Sequence, residues 1–322
     1  MKKYYIRAIQ EALFEEMERD DSVFLMGEDV RIGCFAATRG LCAKYGEQRV
    51  IDTPISELAV AGAAVGAAVT GTRPIVDLMF GQFLMLAYDQ VSSQANAMRY
   101  MFGGQTKVPL VYLVQNGTGP CVGPHHSNSV HPLFMNIPLV KVVMPSCPAD
   151  AKGLLKSAIR DDNPVVFFNH TSIGGMKGEV PDGEYLIPLG KGDIKKAGTD
   201  ITLCAVGIMV NQCLKAAAQL EKEGISAEVV DLRTLKPWDK EMVLESVKKT
   251  GRFLAVDESY KTCGAGAEWV ATVAEEAFSD LKCPASRLSG EEIPIPFSPV
   301  LQQLAVPNKD TIAAKVREMV KK

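Results

Sequence analysis

The 322-residue chain contains no C-x-x-C pair, its eight cysteines standing scattered between Cys34 and Cys283. That spacing argues against a zinc ribbon or a disulfide framework and reads as reduced thiols in a cytoplasmic protein. No run approaches the roughly 18 consecutive apolar residues of a membrane span. The longest uncharged stretch, 58–72, carries three glycines and reads as core. The opening MKKYYIRAIQEALFEEMERD lacks the apolar heart of a signal peptide, being basic for three residues and then an acid-rich amphipathic helix. Excess positive charge is missing too: 35 Lys and Arg face 38 Asp and Glu, a net charge of -3, so nothing points to nucleic acid. There is no G-x-x-x-x-G-K-[ST] loop, and Gly264-Ala265-Gly266 lacks the third glycine of a dinucleotide fingerprint, so it reads as the start of a helix. No internal repeat is visible.

What is present is alternation. Val23–Met26, Val50–Ile51, Pro74–Met79, Val108–Val114, Lys141–Met144 and Pro164–Asn169 read as strands. Helices are predicted over the N-terminus, Ala37–Tyr45, from Glu57, over Phe83–Met101 and over Pro148–Asp161. Several strands are continuous apolar runs, the pattern of an α/β sheet covered on both faces. Gly178–Pro188 turns to Gly, Pro and acid and reads as a linker. Beyond it strands at 201–206, 227–231 and 253–256 alternate with helices at 210–223, 239–249, 266–278 and 310–321. The expectation is two doubly wound α/β domains, 1–188 with a mostly parallel sheet and a smaller 189–322.

The segment Asp52–Pro74 joins a carboxylate to a small-residue helix. Ser56 is placed as N-cap, and Glu57 in the first turn sits where the helix dipole favours an anion. From Leu58 to Thr70 the helix is Ala, Val and Gly, apolar all round, and is expected to be buried with close approach of another element. Glu57 is then either a simple helix-end acid or a proton-handling carboxyl with a raised pKa. Three of the four histidines, His125, His126 and His131, crowd a long polar loop after a buried strand, and His170 ends the next strand. Such a loop is where an α/β sheet places reacting groups. Ordinary loop histidines, acid–base residues and metal ligands all remain open readings, the last disfavoured by the lack of a neighbouring acid in sequence. Met79 and Phe83 mark a strand-to-helix junction that suits either core or a flat apolar wall.

With these residues in view, the chain resembles the β subunit of the thiamine-diphosphate-dependent first component of 2-oxo acid dehydrogenase complexes, the pyruvate, branched-chain and acetoin group of the transketolase-like family. The resemblance runs through GED at 27–29, RVIDTPISE at 49–57, DQV at 89–91, MRYMFGGQ at 98–105 and HHS at 125–127. It continues through KVVMPSCPADAKGLLKSAIRDDNPVV at 141–166 and DLRTLKPWD at 231–239. It implies a pyrimidine-binding domain followed by a transketolase-type C-terminal domain. It implies that Glu57 hydrogen-bonds the aminopyrimidine of thiamine diphosphate and favours its imino tautomer. Phe83 and Met79 would pack on that ring, with Glu28 near it, and His126 would help pass the acyl group to lipoamide. Leu110, Ala158, Asp161 and Asn163 would form a structural monovalent-cation site, for K⁺, built largely of carbonyls.

In this family the diphosphate and Mg²⁺ are held by a GDG…N motif on an α subunit. The GD of this chain, Gly192-Asp193, has no matching asparagine. The resemblance therefore implies half a site, an α partner in a two-α, two-β tetramer, and a dihydrolipoyl acyltransferase core that receives the acyl group. The chain departs from the family in a shortened loop after GEDV and in Ser127-Asn128-Ser129-Val130-His131-Pro132, where glutamine and an acidic or aromatic run are usual. The MKGEVPDGEY stretch leans toward pyruvate or acetoin. Alternatives are a split transketolase moving a ketol unit, for which Arg99 is the phosphate-binding candidate, and a non-catalytic scaffold subunit.

Overall fold

The computed structural model describes residues 1–321; Lys322, the last residue of the expected second domain, lies outside them. The chain separates into two compact units, one of Met1–Asn116 with Leu133–Leu189, the other of Gly117–Pro132 with Gly190 onwards. The loop 117–132, which sequence order assigns to the first domain, clusters with the second.

In the first unit, parallel strands run in spatial order Lys141–Val143, Val165–His170, Val111–Asn116, Arg73–Phe80, Val23–Gly27 and Val50–Asp52. The central ones are buried along nearly their whole length, as the apolar runs require. The amphipathic helix Tyr5–Arg19 buries Ile9, Leu13 and Met17 and packs against helix Pro148–Arg160. That contact also holds charge. Arg160 donates two bonds to the wholly buried Glu16 (2.9 and 2.6 Å), and Lys152 bonds Glu15 at 2.5 Å.

Several elements differ from the expectation. Lys2–Tyr4 is a strand, antiparallel to Lys177–Glu179, so the helix starts only at Tyr5. The predicted linker is not a free tether: the Tyr185 hydroxyl donates to Ala149 O (2.9 Å) and Ile187 N to Gly153 O. A Cβ on Gly153 would meet Ile187 and Tyr185 at 2.7 and 2.8 Å, so the bare glycine lets the segment lie on the helix. Helix Ala37–Tyr45 shrinks to Leu41–Tyr45, because Ala36 and Gly40 take left-handed conformations. The predicted Phe83–Met101 helix is broken into Gly81–Leu84, a 3₁₀ turn, a π turn over Gln90–Ala95, and Asn96–Met101.

Helix Glu57–Val69 is not buried all round within this chain. Val60, Ala61, Ala64, Val65 and Ala68 face the core, while Leu58, Ala59, Ala63 and Gly66 are exposed or half-buried. Ser56 occupies the N-cap position without a side-chain cap bond.

The second unit is a smaller sheet in the order Ser286–Gly290, Phe253–Tyr260, Ile201–Ala205, Ala227–Asp231 and Asp193–Lys196, parallel except for the last strand. Its core gathers Leu203, Val210, Leu220, Ile312 and Val316. Asp239 caps helix Lys240–Thr250 by accepting from Met242 N. Gly264 is the N-cap of helix Ala265–Glu276, as the glycine pair suggested. Asp193 opens an edge strand and accepts from Arg233 Nη2 at 3.0 Å. Among the described residues no helix is long and apolar enough to cross a membrane.

Candidate functional site

Parallel sheets bind ligands beyond the carboxyl ends of their strands. In the first unit those ends converge on one cleft. Strand Val23–Gly27 delivers Glu28, strand Val50–Asp52 leads to Thr53, Pro54 and Ser56, and helix Glu57–Val69 starts there with Glu57 and Val60. The remaining wall is Asp77, Leu78, Met79 and Phe83. The structure thus brings together all four residues expected at the coenzyme: Glu28, Glu57, Met79 and Phe83.

Local backbone chemistry explains the convergence. Gly27 pairs with Asp77 across adjacent strands, and a Cβ at Gly27 would lie 2.2 Å from the Asp77 carbonyl oxygen, so only glycine lets the strands close here. Past Asp77 the pairing with Val111–Asn116 slips before resuming at Phe80. At the slip Met79 is left-handed (φ 60°), held by its N–H donating to Asp77 Oδ1 at 2.9 Å. This kink sets Met79 in the cleft wall. Phe83 stands edge-on to Phe80 (5.7 Å between centroids), which stands edge-on to Phe35.

The cleft is acidic. Burial raises the Glu28 carboxyl above the usual range, with the Glu57 and Asp29 charges adding to it. Burial likewise pushes Asp77 up to about 6, against the pull of the Met79 N–H. The Thr53 hydroxyl, also in the wall, is buried without a hydrogen-bond partner. The enclosed space is only about 10 Å³, room for one water. Three carboxyls, an orphaned hydroxyl, a thioether and an aromatic ring fit one side of a flat heteroaromatic ring such as an aminopyrimidine. They offer nothing cationic to a diphosphate.

Asp77 was not singled out by sequence, where it reads as one residue of a strand. The signal available was a carboxylate near the carboxyl end of an otherwise apolar run.

The histidines do not act as one group. In the second unit, His125 is exposed and His126 half-buried on the short helix Pro124–Ser127. His131 is fully buried, its Nε2 3.0 Å from Asp257 Oδ1. The acid missing near these histidines in sequence arrives from strand Phe253–Tyr260. Among the described residues no group of three or more His, Cys, Asp or Glu could hold a metal ion.

The residues assigned to a monovalent cation cluster around the end of helix Pro148–Arg160. Leu110 O accepts from Val165 N, and Ala158 O from Asp161 N. The Asp161 carboxylate accepts from Asn163 and pairs with Lys141, while its carbonyl accepts from Arg73 Nη1. Terminal helix carbonyls suit a hard cation, and two acceptors of Asp161 are already engaged by cationic side chains. Arg99 Nη1 donates to Asn163 Oδ1 at 2.7 Å, which ties up the candidate phosphate ligand of a transketolase reading.

The fold and the cleft define a pyrimidine-binding domain of transketolase type, with a second α/β unit in the same chain. Comparison with known proteins agrees: residues 2–175 match the transketolase pyrimidine binding domain and residues 190–312 the transketolase C-terminal domain. The chain is 46% identical to the β subunit of acetoin:2,6-dichlorophenolindophenol oxidoreductase of Cupriavidus necator, covering 98% of this chain and 96% of the relative. It is also 46% identical to the 2-oxoisovalerate dehydrogenase β subunit of Bacillus subtilis, over 98% of both chains. Identity is 42% to the β subunit of the pyruvate dehydrogenase E1 component of Rhizobium meliloti, over 96% of this chain and 68% of the relative. Among solved structures, a split-gene transketolase described as an inactive β4 tetramer superposes with a TM-score of 0.80 at 23% identity, covering 98% of this chain and 97% of that one, a likeness of fold. The chain belongs to the family of β subunits of the thiamine-diphosphate-dependent first component of 2-oxo acid and acetoin dehydrogenase complexes.

Proposed function

We propose that this chain supplies the pyrimidine half of a thiamine diphosphate site. An α subunit would hold the diphosphate and Mg²⁺ in a two-α, two-β tetramer. The observation that carries this reading is the meeting of Glu28, Glu57, Met79 and Phe83 in one cleft at the carboxyl edge of the sheet. On this reading residues 1–188 are the pyrimidine-binding domain and 189–322 the C-terminal domain. The uncovered small-residue face of helix Glu57–Val69 supports close approach by the partner.

Bound thiamine diphosphate supplies the electron sink that the side chains lack. The residues here orient the coenzyme and manage protons. The Glu57 carboxyl would hold the aminopyrimidine by a hydrogen bond and favour its imino tautomer. Glu28, its carboxyl pushed above the usual range by burial and by the Glu57 and Asp29 charges, lines the same cleft beside Glu57. Met79 and Phe83 present soft, flat surface to the ring and exclude water from it. His126 handles the proton that accompanies acyl transfer to the lipoyl group of an acyltransferase core. Leu110, Ala158, Asp161 and Asn163 would hold K⁺ as a structural ion, chiefly through their carbonyls.

The substrate is a 2-oxo acid or acetoin. The relatives at 46% identity carry both kinds of name, so identity does not divide them. The test is reconstitution with the α partner, thiamine diphosphate and Mg²⁺, scored by reduction of an artificial acceptor with acetoin, pyruvate and branched 2-oxo acids in turn. The complex turns over one of them, while this chain alone does not. Glu57→Ala lowers turnover by far more than about tenfold, the equivalent of about 1.4 kcal/mol; a variant within that margin refutes the assigned role.

A further inference from the structure

The loop Gly117–Pro132 is pinned at both ends by the second unit, and its tip carries His125 and His126. At its start the Thr118 N–H donates to Glu258 Oε1 (2.7 Å), and the Thr118 hydroxyl bonds the same oxygen. Gly119 N donates to Gln302 Oε1 at 3.0 Å. At its end the Tyr260 hydroxyl donates to Asn128 Oδ1 (3.0 Å), and His131 meets Asp257. Gly117 N donates to Asn128 O, which closes the base of the loop. His131 is 0% exposed and Asp257 1%, so this last contact is a dry one. Burial works to raise the Asp257 carboxyl, but the His131 charge, with hydrogen bonds from His131 and Ser259, outweighs it and leaves Asp257 below the usual carboxylate range. His125 and His126 stand between the two pinned ends.

We propose that His131 and Asp257 form a positioning clamp through which the C-terminal unit sets the place of His126 for acyl transfer. This rests on the acyl-transfer role assigned to His126. Both clamp residues are buried and are assigned a positioning role only. They act by fixing the base of a loop whose tip has no regular structure beyond one helical turn, so loss of the pair lets His126 wander. A displacement of about 1 Å costs on the order of 10²-fold in a positioned reaction.

The experiment uses the reconstituted α/β complex with two acceptors, a lipoyl domain and an artificial dye, and follows hydrogen exchange of residues 117–132 in the same samples. His131→Ala and Asp257→Ala are expected to lower the ratio of lipoyl to dye rates about tenfold or more and to speed exchange across the loop. His131→Gln, whose side-chain amide can still donate to Asp257, is expected to restore most of both. A variant with faster loop exchange but an unchanged ratio overturns the positioning role. Unchanged exchange in both variants overturns the clamp itself. If the parent complex is inactive with every substrate and acceptor, the functional reading fails, and the exchange data still judge the clamp.

Discussion

Replacing Asp77 by asparagine isolates the cost of holding a carboxylate in the wall of the candidate cleft. The carbonyl of the substituted side chain would still accept the Met79 N–H, so the left-handed kink keeps its anchor while the charge goes. Burial raises Asp77 from 3.8 to about 6, which at 1.36 kcal/mol per unit amounts to about 3 kcal/mol. A carboxyl raised on folding favours the folded state while it is protonated. That advantage is complete below pH 3.8 and is lost as pH rises through about 6. The asparagine variant therefore matches the parent near pH 4 and exceeds it increasingly up to pH 7. At that point the gap reaches about 3 kcal/mol, or about 6–12 °C in the melting temperature of the first unit. Calorimetry of parent and variant across pH 4 to 8 measures this directly. A difference that stays constant over that range would refute the argument, since it would mean that Asp77 does not titrate there.

Two further perturbations test other parts of the chain. Glu16→Ala removes the buried acceptor of Arg160, which among the described residues keeps only Glu184, and should cost about 1.5–3 kcal/mol in chemical denaturation, whereas breaking a fully exposed pair such as Arg317–Glu223 should leave the denaturation midpoint nearly unchanged. Replacing choline by K⁺ at fixed ionic strength should raise the melting temperature, by up to about 2.7 kcal/mol of stabilisation at a hundredfold excess over the dissociation constant; Asp161→Ala should abolish the K⁺ response, and no response in the parent would remove the cation site.

The candidate coenzyme cleft was largely legible in the amino-acid order because its parts sit in short, contiguous motifs. GED needs a glycine where two strands close, and the ISE glutamate must begin a helix, so each residue's place is carried by its immediate neighbours. Phe83 does line the cleft, although the helix around it proved to be broken at Gln90–Ala95. A sequence pattern registers apolar spacing but not the single added residue of a π turn. Helix Glu57–Val69 misled in another way, since uniform apolarity foretells burial without saying whether the covering element belongs to the same chain.

Order along the chain was enough to establish the alternation of strands and helices, the family, and the carboxyl that opens the small-residue helix, because periodicity and motif chemistry are local. Only the tertiary structure could reveal that Asp77 props Met79 in the cleft wall and that His131 is answered by Asp257. It also returned the histidine loop to the second unit. Those contacts join residues up to 126 positions apart or depend on a strand slip, and burial, which sets their energies, is a property of the folded whole.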